Sequence, residues 1–171
     1  MPASMRRQED HYSRLARQKG FAARSVFKLQ QMQERFRLIH PGARILDLGA
    51  APGSWSQFCL RTLAGRGLVV GVDLNKPSFP PPPAGGAEFR FLQADLFAAE
   101  LEVRLAEWGP YDLVLSDAAP HTSGNHLVDS QASLELAGRA LELDLRLLRA
   151  GGGTTIKVFQ GEREIAAGNK M

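Results

Sequence analysis

Five short apolar segments, spread along the chain and separated by helical or turn sequences, constrain the fold most. The strand-like segments are predicted at 43–48, 68–73, 89–94, 111–116 and 154–159. Helical patterns are predicted from about residue 12 to Gly20 and at about 22–37, 54–63, 100–108 and 129–149. Strands that alternate with helices favour right-handed crossovers, so we predict an α/β fold with a mostly parallel sheet and helices on both faces.

The helical patterns also predict which faces are buried. In the second helix, Ala22, Val26, Leu29 and Phe36 form one apolar stripe, which leaves Lys28 free to reach solvent or a cleft. In the last helix the stripe is formed by five residues that recur at helical spacing: Leu134, Ala137, Leu141, Leu145 and Leu148. Asp129 or Ser130 is suited to cap that helix, and the glycines at 151–153 are expected to stop it.

Length and composition narrow the class of protein. The 171 residues are typical of one domain with a substantial core. The single cysteine, Cys59, excludes an internal disulfide network and a multi-cysteine zinc site, and it is expected in the core. His11, His40, His121 and His126 show no ligand spacing, so we predict no metal. No apolar run is long enough to span a membrane and no secretion signal is evident, so we expect a cytoplasmic protein without a membrane partner.

Charge is divided unevenly along the chain. Residues 1–44 carry ten Lys or Arg and three Asp or Glu, whereas residues 45–171 carry eleven basic and fifteen acidic residues. A basic leading arm on an acidic body suggests a polyanionic partner, although such cations also simply solvate helix surfaces. We therefore divide the chain into a basic helical arm, residues 1–40, and an α/β domain, residues 41–171.

A glycine-containing turn follows the first predicted strand. Gly49 and Gly53 lack side chains, so a ligand can approach the backbone closely at this strand-to-helix turn. The spacing differs from the G-x-G-x-x-G pattern of dinucleotide-binding enzymes, which disfavours a nicotinamide or flavin enzyme. The alternative is a tight turn that binds no ligand.

Three carboxylates follow the next strands, where ligands bind in parallel sheets. Asp73 ends the second strand, a position from which an acid accepts hydrogen bonds from ribose hydroxyls. Asp95, after the third strand, is placed to meet the edge of a base. Asp117 ends the fourth strand. The alternatives are a helix cap or a turn residue for Asp73 and a helix N-cap for Asp95.

A lysine is predicted inside the apolar fifth strand. Lys157 is costly there unless it is paired or functional, and a structural salt bridge is the alternative to a functional role. If the fifth strand pairs with the fourth, Lys157 and Asp117 face the same cleft.

Four segments together resemble a known family, the FtsJ-like ribose 2′-O-methyltransferases. They are residues 24–29, 47–57, 116–120 and 156–161, in the order and spacing of that family, and the similarity runs from about residue 10 to 162. The chain is most similar to members that methylate a uridine ribose of large-subunit ribosomal RNA. The resemblance implies a Rossmann-like methyltransferase fold and S-adenosylmethionine as the methyl donor.

The resemblance also assigns roles to residues of this chain. It implies that Gly53 and Trp55 line the donor pocket, that Asp73 holds the donor ribose, that Asp95 meets the adenine edge and that Asp117 lies at the methionine side. The catalytic set of the family is a Lys-Asp-Lys-Glu tetrad, and its first three members fall on Lys28, Asp117 and Lys157.

The family continues past the fifth strand with further helix and two strands, which hold the catalytic glutamate. Glu162 and Glu164 do not match its position and receive no role, so we expect the C-terminal strands to be missing and activity to be reduced or absent. An uncovered fifth strand would also present an edge for self-association.

The chemistry of the reaction explains why lysines are suitable. A ribose hydroxyl must lose its proton as it attacks a sulfonium methyl group, and Lys157 can act as general base or stabilise the developing alkoxide. Lys28 would lower the proton affinity of Lys157 and Asp117 would raise it, so the sequence leaves the protonation state open. Holding the hydroxyl in line with the methyl group would supply much of the rate.

We therefore predict an enzyme that 2′-O-methylates a ribose of ribosomal RNA, either free or in the large ribosomal subunit. The basic arm would contact RNA phosphates, so that RNA binding weakens steeply with salt. One alternative is a non-catalytic RNA-binding module that retains the donor pocket. Another is a small-molecule methyltransferase, which would leave the basic arm without a role.

Overall fold

The structure is a computed structural model that describes residues 11–80, 82–120 and 123–158. The helices are α1 (His11–Gln18), α2 (Val26–Phe36), α3 (Ser54–Thr62), α4 (Leu101–Ala106) and α5 (His126–Leu147). The strands are β1 (Arg44–Leu48), β2 (Leu68–Asp73), β3 (Glu88–Gln93), β4 (Tyr111–Ser116) and β5 (Leu148–Ile156). His121, Glu162, Glu164 and the predicted strand end at residue 159 lie outside the described residues. Within the described ranges, no helix has both the length and the apolar character that a membrane crossing requires.

The five strands form one sheet in the order β3-β2-β1-β4-β5, and every neighbouring pair is parallel. The predicted parallel α/β sheet is therefore confirmed. The order reverses between β1 and β4, so a crevice lies beyond the carboxyl ends of these two strands. β5 is the last strand in this order among the described residues, and self-association through its outer edge stays a prediction.

Helices cover both faces of the sheet because its strands are apolar on both sides. Along β1, Ile45 packs with Leu29 of α2 and Cys59 of α3, which confirms the predicted core position of the cysteine. The next residue, Leu46, faces the opposite side and packs in the cluster that contains Leu143 of α5. Each face thus has its own core, and the strand ends project beyond both.

The predicted buried face of α5 is wrong. Leu134, Leu141 and Leu145 are exposed, Leu145 by 77%. The buried residues of the helix lie on a different face: Ser133, Ala140, Leu143, Asp144 and Leu147. The helix carries leucines on two faces, so its periodicity alone does not decide which face meets the sheet.

Both ends of α5 also differ from the prediction. Asn125, rather than Asp129 or Ser130, caps the helix, and its side chain accepts a hydrogen bond from the Leu127 amide at 3.1 Å. The helix ends at Leu147, and β5 begins at once, so the three predicted helix-stopping glycines lie within the strand. A Cβ at Gly152 would lie 2.7 Å from a methyl carbon of Leu148, so a side chain there would require Leu148 to move.

The predicted stripe of α2 is confirmed only in its centre. Val26 and Leu29 are fully buried, whereas Ala22 precedes the helix and Phe36, at its last turn, is exposed. The buried part places α2 against α3, and the exposed end projects past the core.

Helix α3 holds the turn between α1 and α2. The Arg61 guanidinium donates to the carbonyls of Lys19 and Gly20 at 3.0 and 3.1 Å, and its central carbon lies 4.3 Å from the ring centroid of Phe21. The Gln57 side chain donates to the Gly20 carbonyl at 3.2 Å and accepts from the Ala22 amide at 3.0 Å. The described part of the arm is therefore attached to the sheet domain, and the domain boundary near residue 40 stays a prediction.

Candidate active site

The glycine turn after β1 is closely packed on both sides. Gly49 has a φ of 79°, and a Cβ there would lie 2.5 Å from the Ala118 Cα. Gly53 is the N-cap residue of α3 and has a φ of 117°. A Cβ there would collide with the Phe79 ring. Both positions therefore require glycine, and the turn is held between the end of β4 and the loop after β2.

The first cavity, of about 420 Å³, lies at the carboxyl ends of the strands. Asp73, Asp95 and Asp117 all line it, beside apolar walls that include Leu96 and Phe97. The structure thus brings together the three carboxylates that the sequence placed at three strand ends. Among its described lining residues there is no Lys, Arg or His, so the charge of this cavity is negative.

Backbone amides hold two of these carboxylates in place. Asp73 accepts from the Ala51 amide at 3.0 Å through Oδ2 and from the Asn75 amide at 2.8 Å through Oδ1. Asp95 Oδ1 accepts from the Phe97 amide at 2.9 Å. Both are turn contacts: the turn alternative for Asp73 is confirmed, and the N-cap alternative for Asp95 is wrong, because α4 begins only at Leu101 with Glu100 as its N-cap. A carboxylate has about four acceptor positions, so capacity for a ligand remains.

The third carboxylate forms an ion pair with the predicted lysine. Lys157 Nζ lies 3.0 Å from Asp117 Oδ1, and the two side chains are 28% and 19% exposed. β5 ends at Ile156, so Lys157 follows directly after the strand instead of lying inside it, and its amide donates to the Ser116 carbonyl at 2.9 Å. The predicted pairing of the fourth and fifth strands is confirmed, and it places these two residues side by side. A partly exposed pair contributes little to stability, so its interest lies in its position.

A second cavity, of about 410 Å³, lies on the α2 side of the same ion pair. Lys28, Arg35 and Lys157 line it together with Asp117. Its apolar lining consists of Met32, Phe36, Trp55, Ile156, Val158 and the aliphatic part of Thr155. Asp117 lines both cavities, so a ligand in either one would lie beside the same carboxylate.

Gly53 and Trp55 do not appear among the described lining residues of the first cavity. Gly53 is covered by Phe79, and Trp55 lines the second cavity, where its indole N–H donates to the Ser25 carbonyl at 3.0 Å. Contact of these two residues with a methyl donor stays a prediction. Lys28, in contrast, lies in the same cavity as Lys157.

Sequence reasoning missed Arg35 and Phe36. They lie two helical turns after Lys28, so the 3.6-residue period would have placed them on its side of α2. The apolar character of Phe36 obscures that signal, because it fits the predicted buried stripe of α2 as well.

Sequence reasoning also missed a buried acid beneath the site. Asp47 of β1 is fully buried, and its Oδ2 accepts from the Ser56 hydroxyl at 2.6 Å. Its Oδ1 has no hydrogen-bond partner among the described residues. Burial raises the pKa of Asp47 from 3.8 to about 7, the Ser56 hydroxyl opposes this rise, and repulsion by Asp117 and Asp73 adds to it.

Over the described part of the chain, no three His, Cys, Asp or Glu side chains are grouped in a way that could hold a metal ion. The absence of a metal from the protein's chemistry stays a prediction.

Known proteins share this sequence and fold. The chain is 43% identical to the ribosomal RNA large subunit methyltransferase E of Desulfosudis oleivorans, over 94% of this chain and 76% of that protein. It is 46% identical to the protein of the same name from Syntrophobacter fumaroxidans, over 89% of this chain and 76% of the relative. A solved Plasmodium falciparum structure, provisionally named a ribosomal RNA methyltransferase, shares the fold with a TM-score of 0.71 and 24% identity, over 86% of this chain and 83% of that one.

A family model described as FtsJ-like methyltransferase matches residues 21–169, which include the glycine turn and the Asp117–Lys157 pair. The Rossmann-like methyltransferase fold expected from the resemblance is confirmed. This chain belongs to the FtsJ-like methyltransferase family.

Proposed function

We propose that this protein transfers the methyl group of S-adenosylmethionine to the 2′-hydroxyl of a ribose in large-subunit ribosomal RNA, at a uridine as the resemblance implies. The observation that carries the proposal is the position of Asp117, which lines both cavities and lies 3.0 Å from Lys157 Nζ. A donor in one cavity and an acceptor in the other would meet at this pair. The names of the relatives, ribosomal RNA large subunit methyltransferase E, support RNA as the acceptor.

The first cavity fits the proposed donor in its chemistry. S-adenosylmethionine supplies a methyl group made electrophilic by a positively charged sulfur, and it carries hydrogen-bond donors on its ribose, its adenine and its ammonium group. The three carboxylates of the cavity are suitable acceptors, and its apolar walls are suitable for adenine. We assign the donor ribose to Asp73, the adenine amino group to Asp95 and the methionine side to Asp117.

The second cavity would receive the acceptor ribose. As a neutral amine, Lys157 would take the hydroxyl proton and become an ammonium group, and as an ammonium group it would stabilise the developing oxyanion; in either form Asp117 holds its nitrogen in position. Lys28 contributes a second positive charge in the same cavity. Much of the remaining rate comes from alignment of the hydroxyl with the methyl group. The resemblance assigns Gly53 and Trp55 to the donor pocket, and Trp55 also lines the second cavity, beside the proposed acceptor.

The basic arm supports a polyanionic acceptor. Residues 1–44 carry ten of the 21 Lys and Arg residues of the chain, and the described part of this segment borders the second cavity through α2. RNA phosphates bound there would supply affinity and register. The natural partner in this proposal is ribosomal RNA, free or in the large subunit, and the place of the reaction is the cytoplasm.

Methyl transfer to unmodified large ribosomal subunits tests the proposal. We expect the wild-type protein to transfer labelled methyl from S-adenosylmethionine to one nucleotide, whose 3′ phosphodiester then resists alkaline cleavage. Lys157→Ala should slow the transfer by about 100- to 10,000-fold, the usual contribution of a proton-transferring or charge-stabilising side chain. Lys76→Ala, an exposed lysine that lines neither cavity, is the matched control.

The outcomes separate the candidate functions. Binding of donor and RNA by the wild-type protein without any transfer would replace the proposal by a non-catalytic RNA-binding module. Transfer that Lys157→Ala leaves unchanged would remove Lys157 from the mechanism.

A further inference from the structure

Phe36 combines an exposed position with a place in the acceptor cavity. The side chain is 59% exposed at the last residue of α2, and it lines the second cavity together with Lys157. The other aromatic residue of that cavity, Trp55, is only 4% exposed, and its N–H is bonded to the Ser25 carbonyl. Phe36 therefore offers the more accessible aromatic surface to a ligand.

Packing among the described residues does not explain why position 36 carries a large aromatic side chain. It belongs to none of the three apolar core clusters of the described residues. Its recorded ring partner is the Arg35 guanidinium, whose central carbon lies 5.1 Å from the ring centroid. An aromatic ring beside an exposed guanidinium is a common surface for a nucleobase and its phosphate.

The charges of the cavity match the same type of ligand. Lys28, Arg35 and Lys157 supply three positive charges against the single carboxylate of Asp117. A nucleotide is an apolar ring joined to a ribose and an anionic phosphate, so it can use the ring of Phe36, the cations and the Lys157 end of the cavity together.

We propose that Phe36 is the platform on which a base of the bound RNA stacks, at or next to the methylated nucleotide, and that Arg35 contacts its phosphate. This inference rests on the proposed function and identifies the residue that positions the acceptor. Stacking on a ring tolerates any base, so Phe36 fixes the position of the nucleotide, and the sequence choice comes from elsewhere. Phe36 is a positioning residue, because the reacting hydroxyl lies at Lys157.

The test compares Phe36→Leu with Phe36→Tyr. Leucine keeps an apolar side chain without an aromatic face, whereas tyrosine keeps the face. We expect Phe36→Leu to raise the KM for RNA and the Kd for fragments of large-subunit ribosomal RNA by about tenfold, within the range that one stacked base supplies. The affinity for S-adenosylmethionine, measured by calorimetry, should be unchanged, and Phe36→Tyr should restore the wild-type KM and Kd.

Val103→Ala provides the control, because Val103 is an exposed apolar residue of α4 that lines neither cavity. An unchanged KM and Kd in Phe36→Leu would overturn the platform. A lower melting temperature of Phe36→Leu with unchanged RNA binding would also overturn it, because Phe36 would then be packing against another part of the chain.

Failure of the platform and failure of the proposed function give different results. If wild-type protein transfers methyl and Phe36→Leu matches it in KM and Kd, the proposed enzymatic function is supported and base stacking on Phe36 is rejected. If wild-type protein transfers no methyl but its RNA affinity depends on an aromatic residue at position 36, the platform stands and the enzymatic function falls. If the wild-type protein binds no RNA, both fall.

Discussion

The two cavities that meet at Asp117 differ most in the sign of their charge. The first holds three carboxylates and no cation among its described lining residues, whereas the second holds three cations and shares its one carboxylate with the first. In the proposed function, a cationic sulfonium and a polyanionic RNA would thus be directed to neighbouring sites by electrostatics. The difference teaches that charge alone could separate the two proposed substrates before any detailed contact is made.

The two cavities also have different structural origins. The first is built by backbone turns at the ends of strands, where amides hold Asp73 and Asp95. The second is formed by side chains of α2 opposite the end of β5, and its two α2 cations, Lys28 and Arg35, lie at exposed positions. We therefore expect substitutions in the first cavity to weaken donor binding without weakening RNA binding, and those in the second to leave donor binding unchanged, except at the shared residue.

Asp117→Asn should have the largest effect, because it removes the carboxylate that both cavities share. We expect methyl transfer to fall about 1000-fold and donor affinity to fall about tenfold, since Lys157 loses its partner and the donor loses one charged contact. Single-turnover transfer and calorimetry measure the two effects. Lys157→Ala is the comparison, because it should slow transfer and leave donor affinity unchanged. Equal donor affinity in wild-type protein and Asp117→Asn would show that the donor does not depend on the Asp117 carboxylate, so the two sites would not share it.

Asp73→Asn should act on the donor side only. Loss of charge-assisted hydrogen bonds to the donor ribose is expected to weaken donor binding by about 10- to 100-fold. The Kd for ribosomal RNA should stay unchanged. Calorimetry and filter binding measure these two affinities, and Glu107→Gln, an exposed acid that lines neither of the two cavities, is the control. A parallel loss of RNA affinity would show that charge does not separate the two sites.

Arg35→Ala should act on the RNA side only. We expect RNA affinity to fall several-fold, and the slope of log affinity against log salt to decrease by about 0.7 to 0.9, the value for one lost phosphate contact. Donor affinity should not change. Arg104→Ala on α4 is the matched control, because Arg104 is exposed and lines neither cavity. A salt slope equal to that of the wild-type protein would remove Arg35 from the phosphate contacts.

The smallest expected effect is a pH dependence of stability that arises from Asp47, the buried acid beneath the first cavity. Because the pKa of Asp47 is raised from 3.8 to about 7, the folded protein keeps a proton that the unfolded chain releases between these two pH values. The free energy of unfolding should therefore fall as the pH rises through this interval and level off above it. Asp47→Asn should lack this dependence, so its melting temperature should rise relative to wild type between pH 5 and pH 8.

Asp73→Asn provides a second test of the Asp47 titration, because the negative charge of Asp73 helps to raise the pKa of Asp47. In that variant, the fall in stability of the otherwise wild-type Asp47 should end at a lower pH. If Asp47→Asn keeps the pH dependence of the wild-type protein, the titrating group lies elsewhere.

The ends of β2 and β4 can be predicted from sequence, whereas the bounds of β5 and the buried face of α5 cannot. An apolar run that stops at a polar residue locates a strand end locally, so Asp73 and Asp117 were correctly placed. For α5, leucines on two faces fit the helical period equally well, and packing against the sheet decided the buried face. The helical period places Arg35 and Phe36 on the Lys28 side of α2, but the approach of that side to the end of β5 is a tertiary relation that no local pattern contains.

The bonds from α3 to the turn at residues 19–22 have a consequence for RNA recognition. Arg61 and Gln57 hold this turn through carbonyl and amide groups of the backbone, so the hold does not depend on the side chains at positions 19, 20 and 22. In the proposed function, the described parts of α1 and α2 would therefore be held in place before RNA binds. Little conformational entropy of this backbone would be lost on association, and side chains on its surface can be substituted without loosening the scaffold that presents them.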